Sequence, residues 1–202
     1  MTKNLTQCET CPLKDNVYVP SELHDSKIVA LAEAPGYHEA QNGRPLVGVA
    51  GQDYNRIVEA IGATREKFAT LVNAVSCRPT KVENGREKNR TPTDEEIACC
   101  KGRLEAELEN LSPSVIVTMG RIPYLALGGK TWKGWRMLDV VGGTFLWKGI
   151  PVIVTYHPAA ISHAGGLNTD RGKMTRDKIQ EALAKALEYK PPADRQLGMF
   201  DE

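Results

Sequence analysis

Four short apolar runs, each cut off by a turn or a polar corner, constrain this chain more than any other feature. They are Lys27–Leu31, Phe68–Val75, Ser114–Gly120 and Val152–Tyr156. Runs of this length, rich in β-branched residues and without strict polar alternation, read as strands buried on both faces. Between them lie segments with helical spacing. Gly51 to Ile61 sets Tyr54, Ile57, Val58 and Ile61 on one face, and Gly62 supplies a stop. Thr93, with Glu96 three residues on, makes a capping box that opens a helix running through Leu104 and Leu108 to about Leu111. Lys173 to Tyr189 places Ile179, Leu183 and Leu187 four apart, the spacing of a last helix. Alternation of strand and helix predicts an α/β fold with a mainly parallel sheet and helices on both faces. Residues 80–91 are charged and contain Asn and Gly, and are expected to form a mobile loop; residues 128–150 are expected to form a short meander. The first cysteine pair, Cys8 and Cys11, reads as a tight turn between polar flanks.

At 202 residues the chain is expected to form one domain over residues 1–190, followed by a tail over 191–202 that starts at Pro191-Pro192. The formal net charge is only +1, so no global field draws the chain to nucleic acid, and any such surface must be local. No stretch is apolar for the length of a membrane span. The first residues, Met1 to Asn4, lack the apolar core of a signal peptide. Five cysteines in such a chain favour metal binding or free thiols over disulfides, and a cytoplasmic protein is expected.

Three of the four strands end in groups suited to a polar site: Glu33-Ala34-Pro35-Gly36, Asn73 and His157. In a parallel sheet these ends lie on one edge, so residues more than a hundred positions apart can meet. The corner after the first strand opens a long loop, through Gly43-Arg44-Pro45-Leu46-Val47-Gly48, which is the usual place for ligand-binding groups in such sheets. Asn gives and takes hydrogen bonds at once, which suits the edge of an amide-like base. His157 can donate to an oxygen or carry charge beside a developing anion. Cys8-x-x-Cys11 is a chelating pair, and Cys77 with Cys100 or its neighbour Cys99 can complete four thiolates. Spacing alone leaves zinc and an iron–sulfur cluster both open.

Ordered along the chain, these motifs resemble the family 4 uracil-DNA glycosylases, the iron–sulfur branch of the uracil-DNA glycosylase superfamily. The resemblance is carried by Cys8-x-x-Cys11, Ala32-Glu33-Ala34-Pro35-Gly36, Gly43-Arg44-Pro45-Leu46-Val47-Gly48-x-Ala50-Gly51, Asn73-x-x-x-Cys77-Arg78-Pro79, Pro92-Thr93-x-Glu95-Glu96-Ile97-x-x-Cys100 and His157-Pro158-Ala159-Ala160. It implies a three-layer α/β/α sandwich that extrudes uracil from DNA and hydrolyses its N-glycosidic bond. The implied ligands of a [4Fe–4S] cluster are Cys8, Cys11, Cys77 and Cys100, with Cys99 spare and zinc the alternative. The implied base pocket is lined by Glu33, Ala34, Glu39, Leu46, Asn73 and His157, with His157, Glu33 and Asn73 carrying the chemistry. Ala34 stands where other branches of the superfamily carry an acidic water activator, which implies cleavage led by stabilisation of the leaving base. Ile161, just beyond the His-Pro loop, is expected to be the wedge that fills the vacated stack.

Two departures accompany the resemblance. Leu46 stands where the family has a stacking Phe, and Ala32 where it has Gly. Leu46 motivates the alternative of a glycosylase for another base; a non-catalytic adaptor that binds DNA and a clamp is the other. The basic residues Lys81, Arg86, Lys88 and Arg90 of the 80–91 segment are possible phosphate contacts. In the tail, Gln196, Leu197, Met199 and Phe200 look like the short motif that bacterial repair proteins insert into the sliding clamp. The expected partners are therefore uracil-containing DNA and that clamp, with no membrane and a monomeric chain.

Overall fold

The computed structural model describes residues 5–190, so the motif at Gln196–Phe200 lies outside the described residues. In chain order the elements are α1 (Leu5–Thr10), β1 (Ile28–Ala32), α2 (Tyr37–Asn42), α3 (Val49–Ala60), α4 (Arg65–Phe68) and β2 (Thr70–Asn73). There follow β3 (Thr80–Glu83), β4 (Arg86–Asn89), α5 (Asp94–Leu111), β5 (Val115–Met119), α6 (Arg121–Ala126) and a short 3-10 turn at Met137–Asp139. The chain closes with β6 (Thr144–Trp147), β7 (Ile150–Thr155), α7 (Ala159–His163) and α8 (Asp170–Glu188).

The central sheet has the order β2-β1-β5-β7-β6. The first four strands are parallel and β6 runs antiparallel to β7 at the edge. Side chains alternate across β1, as the twofold repeat of a strand demands. Val29 and Leu31 enter one apolar layer with Leu104, Leu108 and Ile122 from α5 and α6. Ala30 and Ala32 enter the other with Tyr54, Ile57, Ile179 and Leu183 from α3 and α8. These two layers flank the sheet and give the expected α/β/α sandwich. The predicted capping box is present at α5: Glu96 N–H donates to Thr93 Oγ1 at 3.3 Å, and Thr93 N–H donates to Glu96 Oε2 at 2.8 Å. Among the described residues no helix is long and apolar enough to cross a membrane.

The 80–91 segment is not a mobile loop but the antiparallel hairpin β3–β4, with Lys81 opposite Lys88 and Val82 opposite Glu87. Its turn is Asn84-Gly85, both left-handed with φ of 52° and 71°, the pairing that two-residue hairpins favour. The hairpin is tied down at its base. Arg78 donates to Asn89 Oδ1 at 2.9 Å, and Arg90 donates to both oxygens of buried Glu96 at 2.5 and 2.8 Å. The turn expected around Cys8 is also revised, since Cys8 sits in α1 and the chain turns only at Cys11, whose N–H donates to Cys8 O at 3.3 Å. Of the meander expected over 128–150, only β6 and the start of β7 are strand.

Candidate active site

Because β1, β2, β5 and β7 are parallel, their carboxyl ends lie along one edge, and a cavity of about 660 Å³ opens there. Glu33 and Ala34 reach it from the end of β1, Asn73 from the end of β2, and His157 from beyond β7. Glu39 and Leu46 line it from the loop region after β1, and Asn89, Arg90 and Thr91 from the base of the hairpin. The structure thus brings together all six residues expected in the pocket and adds the hairpin, whose Asn-Gly turn is the signal that marks it in the sequence. A larger hollow of about 1120 Å³ lies at the opposite, amino-terminal edge of the sheet, beside Lys27, Ser114 and Ile150, and carries none of the strand-end groups.

Asn73 is 3% exposed, yet its Nδ2 meets no acceptor among the described residues. Its backbone is held from outside by Arg103, which donates to Asn73 O at 2.7 Å and Ala74 O at 3.1 Å and pairs with Glu107. A buried amide donor without a partner costs free energy, so its place in the cavity wall marks it for a ligand atom. His157 is oriented by its own loop: the N–H of Ala159 donates to His157 Nδ1 at 3.1 Å. Nδ1 is then an acceptor, and the ring proton of the neutral imidazole belongs on Nε2. Burial, with His163 adding to it and Glu39 opposing, pushes the imidazole down to about 4. At neutral pH His157 is an uncharged donor. Gly120, with φ of 98°, lets β5 pass close beneath it, since a Cβ there would stand 3.2 Å from His157 Cβ. Burial pushes the Glu33 carboxyl up, opposed by a hydrogen bond from Thr91.

The wall that carries Leu46 is gripped from two sides. Arg65, itself buried, donates to Leu46 O at 2.8 Å, Pro45 O at 2.5 Å and Asn55 Oδ1 at 3.1 Å. The same guanidinium meets both oxygens of Glu22 at 2.8 and 3.0 Å. On the other side Glu39 accepts from Gly36 N at 3.1 Å, Val47 N at 3.0 Å and Gly48 N at 2.8 Å. Glu39 lines the cavity as expected, and its carboxylate also braces the loop by accepting from these three backbone amides. Leu46 itself is left-handed, with φ of 51°, and 5% exposed. Gly51 makes room for this, because a Cβ there would fall 1.8 Å from Leu46 O.

Comparison with known proteins agrees with this geometry. Residues 20–186 match the family described as Uracil DNA glycosylase superfamily. The chain is 34% identical over 195 residues to a Type-4 uracil-DNA glycosylase of Thermotoga maritima, covering 94% of this chain and 92% of that one. It is 35% identical over 188 residues to the Type-4 enzyme of Saccharolobus solfataricus, covering 88% and 82%. It is 25% identical over 179 residues to a Type-5 uracil-DNA glycosylase of Pyrobaculum aerophilum, covering 80% and 71%. The chain belongs to the uracil-DNA glycosylase superfamily.

Within this superfamily fold, one expected residue is elsewhere. Ile161 is 2% exposed and lies in the apolar layer with Met119, Ile153 and Ile179, so it offers no side chain to insert into DNA. Helix α7 begins at Ala159, and its first turn directs Ile161 inward. The cysteines fare differently. Cys11, Cys77 and Cys100 are buried in one cluster with Leu13 and Val75, and Cys99 lies partly buried at its margin. Burial pushes the Cys100 thiol up, opposed by a backbone hydrogen bond at Ser76 and by Arg103, with the sulfurs of Cys11 and Cys8 adding to the rise. Among the described residues no three His, Cys, Asp or Glu side chains meet closely enough to hold a metal ion. The donor set itself fits a thiolate-ligated centre, since it gathers thiols from three segments in an apolar surround.

The Glu22–Arg65 grip gives a pH signature. Burial alone would raise Glu22, but hydrogen bonds from Arg65 and Arg44 bring it down to about 2. A carboxylate with a depressed value in the folded state adds stability above its ordinary value of 4.5, and that stability is lost as pH falls toward 2. Glu22→Gln should cost about 3 kcal/mol at pH 7 by leaving Arg65 without its charge partner. Urea midpoints followed from pH 4.5 to 2 should then fall less steeply than in the wild type. Parallel curves for the two proteins would show that the grip is not ionic.

Proposed function

We propose that this protein is a monofunctional uracil-DNA glycosylase that takes a flipped uracil from DNA and hydrolyses its N-glycosidic bond, leaving an abasic site. The observation that carries the reading is Asn73, a buried amide at a strand end with its Nδ2 unpartnered in the cavity wall. Uracil presents a carbonyl oxygen beside an N–H, and an amide that donates from Nδ2 and accepts at Oδ1 matches that pair. The names of the Type-4 relatives support the same substrate.

Cleavage moves the bonding pair from the C1′–N1 bond onto the base, and negative charge grows on the carbonyl oxygen beside N1. His157 Nε2–H donates to that oxygen. Its neutrality means that it stabilises the leaving base by a hydrogen bond without having to surrender a proton. Water then adds to C1′, and its proton is lost to solvent or to the departed base. Glu33, whose carboxyl is raised by burial, stands at the same wall to hold that water. Ala34 offers no acid, and Leu46 supplies apolar contact to the base without a ring face. Getting the base into the cavity costs a few kcal/mol of stacking and pairing, recovered in part by these contacts.

We assign a [4Fe–4S] cluster to Cys8, Cys11, Cys77 and Cys100. When bound, such a cluster supplies iron–thiolate bonds that tie the α1 turn to the segment after β2 and to α5. Cys99 remains the spare thiol. We also assign Gln196, Leu197, Met199 and Phe200 as a ligand for a sliding clamp.

Each assignment has its own readout. His157→Ala should lower the rate of abasic-site formation on a uracil-containing oligonucleotide by about 10²–10³-fold, read by alkaline strand cleavage; a variant as fast as the wild type would remove His157 from the mechanism. Anaerobically purified protein should contain about four iron and four sulfide per chain. Cys100→Ser should lose iron and Cys99→Ser should keep it, whereas zinc without sulfide would refute the cluster. Deleting residues 196–202 should abolish capture by clamp-coated beads and leave uracil release from short oligonucleotides intact; retained capture would exclude the tail as the ligand.

A further inference from the structure

We propose that the segment from Arg121 to Asp139 is a platform that binds the single-stranded DNA next to the extruded base. The proposal rests on DNA being the substrate, but on different residues from those of the cavity.

Both ends of the segment are fixed to the catalytic edge. At its start, Gly120 lies against His157, and Arg121 follows directly. At its end, Gly142 N–H donates to Val154 O at 2.9 Å and Val154 N–H donates to Gly143 O at 3.0 Å. The chain therefore returns to the carboxyl end of β7, close to the loop that bears His157. Between these points an aromatic post organises the loop. The Tyr124 hydroxyl donates to Lys130 O at 2.7 Å, and its ring leaves no room for a side chain at Gly129, where a Cβ would stand 2.4 Å from a ring carbon. Trp135 leans on Tyr124 at 5.6 Å between centroids, and the Arg121 guanidinium lies over the indole of Trp135 at 4.5 Å. Trp135 N–H donates to Trp132 O at 3.2 Å, closing a turn that leaves Trp132 53% exposed.

The charge of this surface is out of proportion to the chain. Residues 121–139 hold four basic side chains, Arg121, Lys130, Lys133 and Arg136, against Asp139 alone, in a protein of net charge +1. The four basic side chains are exposed. Exposed cations interleaved with an exposed indole match a nucleic acid strand, whose phosphates meet the cations while an unstacked base lies on the ring. A protein partner would ask for a continuous apolar face, and here Lys133 and Arg136 separate Trp132 from Leu138. A nucleotide drawn into the cavity leaves neighbours with reduced stacking, and Trp132 offers such a neighbour a new face.

The test is fluorescence anisotropy with a labelled, uracil-free single strand of about a dozen nucleotides, within the site sizes known for such surfaces. Trp132→Ala should weaken binding about tenfold, and Trp132→Phe should keep most of the affinity. Lys133→Ala and Arg136→Ala should each reduce the slope of log affinity against log salt by about 0.7. Lys101→Ala, on the exposed face of α5, should change neither quantity, and thermal unfolding checks that each variant is folded. Wild-type affinity in Trp132→Ala together with wild-type salt slopes in Lys133→Ala and Arg136→Ala would overturn the proposal. Should the wild type bind the strand through these residues yet release no uracil, the substrate assignment fails and the platform stands.

Discussion

Parallel pairing of four strands is the constraint on which this molecule depends. A parallel strand cannot return by a hairpin, so each carboxyl end releases its chain on the same edge. The register keeps those ends level, with Ala32 beside Asn73 and Met119 beside Thr155. Glu33, Asn73 and His157 thus become neighbours without any long-range loop having to carry them. The antiparallel edge strand β6 serves the same end differently. It starts at the edge formed by the carboxyl ends of the parallel strands and brings the tryptophan-bearing segment back to where β5 released it.

What the sheet brings together, charged side chains hold in place by the backbone. Arg65 takes the carbonyls of Pro45 and Leu46, Glu39 takes three amides around the same loop, and Arg103 takes the carbonyls of Asn73 and Ala74. Hydrogen bonds to ionised groups are shorter and stronger than neutral ones, and a fork of guanidinium donors fixes direction as well as distance. Arg65 is paired in turn with Glu22 and Arg103 with Glu107, which offsets part of the cost of burying them, although Arg103 Nε meets no acceptor among the described residues. The cavity is therefore walled by backbone under ionic control, while the side chains that face a base are few and uncharged or weakly charged.

Much of this was legible in the sequence, for physical reasons that differ by residue. Buried strands must be apolar, so β1, β5 and β7 announce themselves, and α5 opens with the Thr93/Glu96 capping box that marks a helix start. The strand-end groups Glu33, Asn73 and His157 stood out together, because the ends of parallel strands share one edge and bring polar residues distant in the chain to one place. The hairpin β3–β4 did not stand out, because its alternation is between charges and no apolar face marks it. Its Asn-Gly turn was the only local sign. Ile161 misled because an apolar residue beside a catalytic loop fits a wedge and a core position equally well until the helix phase is known. Arg65 was invisible in a different way: a basic residue in a short polar segment reads as surface, and only the three-dimensional path of the 45–46 carbonyls makes it a structural centre. For Glu39 the sequence marks a carboxylate near a pocket but not whether its oxygens face the ligand or the chain.

The left-handed backbone at Leu46 has a consequence for what this position can become. A side chain branched at Cβ is a genuine outlier at φ of 51°, so Val, Ile and Thr are barred by the main chain before any fit to a base is considered. The bond pattern of the Arg65 grip bars rescue by a flip of the peptide, since both adjoining carbonyls are already engaged. Position 46 is left with residues that are not branched at Cβ, and above all with those at ease in the left-handed region. What this wall presents to the cavity is thus filtered first by backbone geometry and only then by chemistry, and drift at this site can change the width and polarity of the wall but not its course.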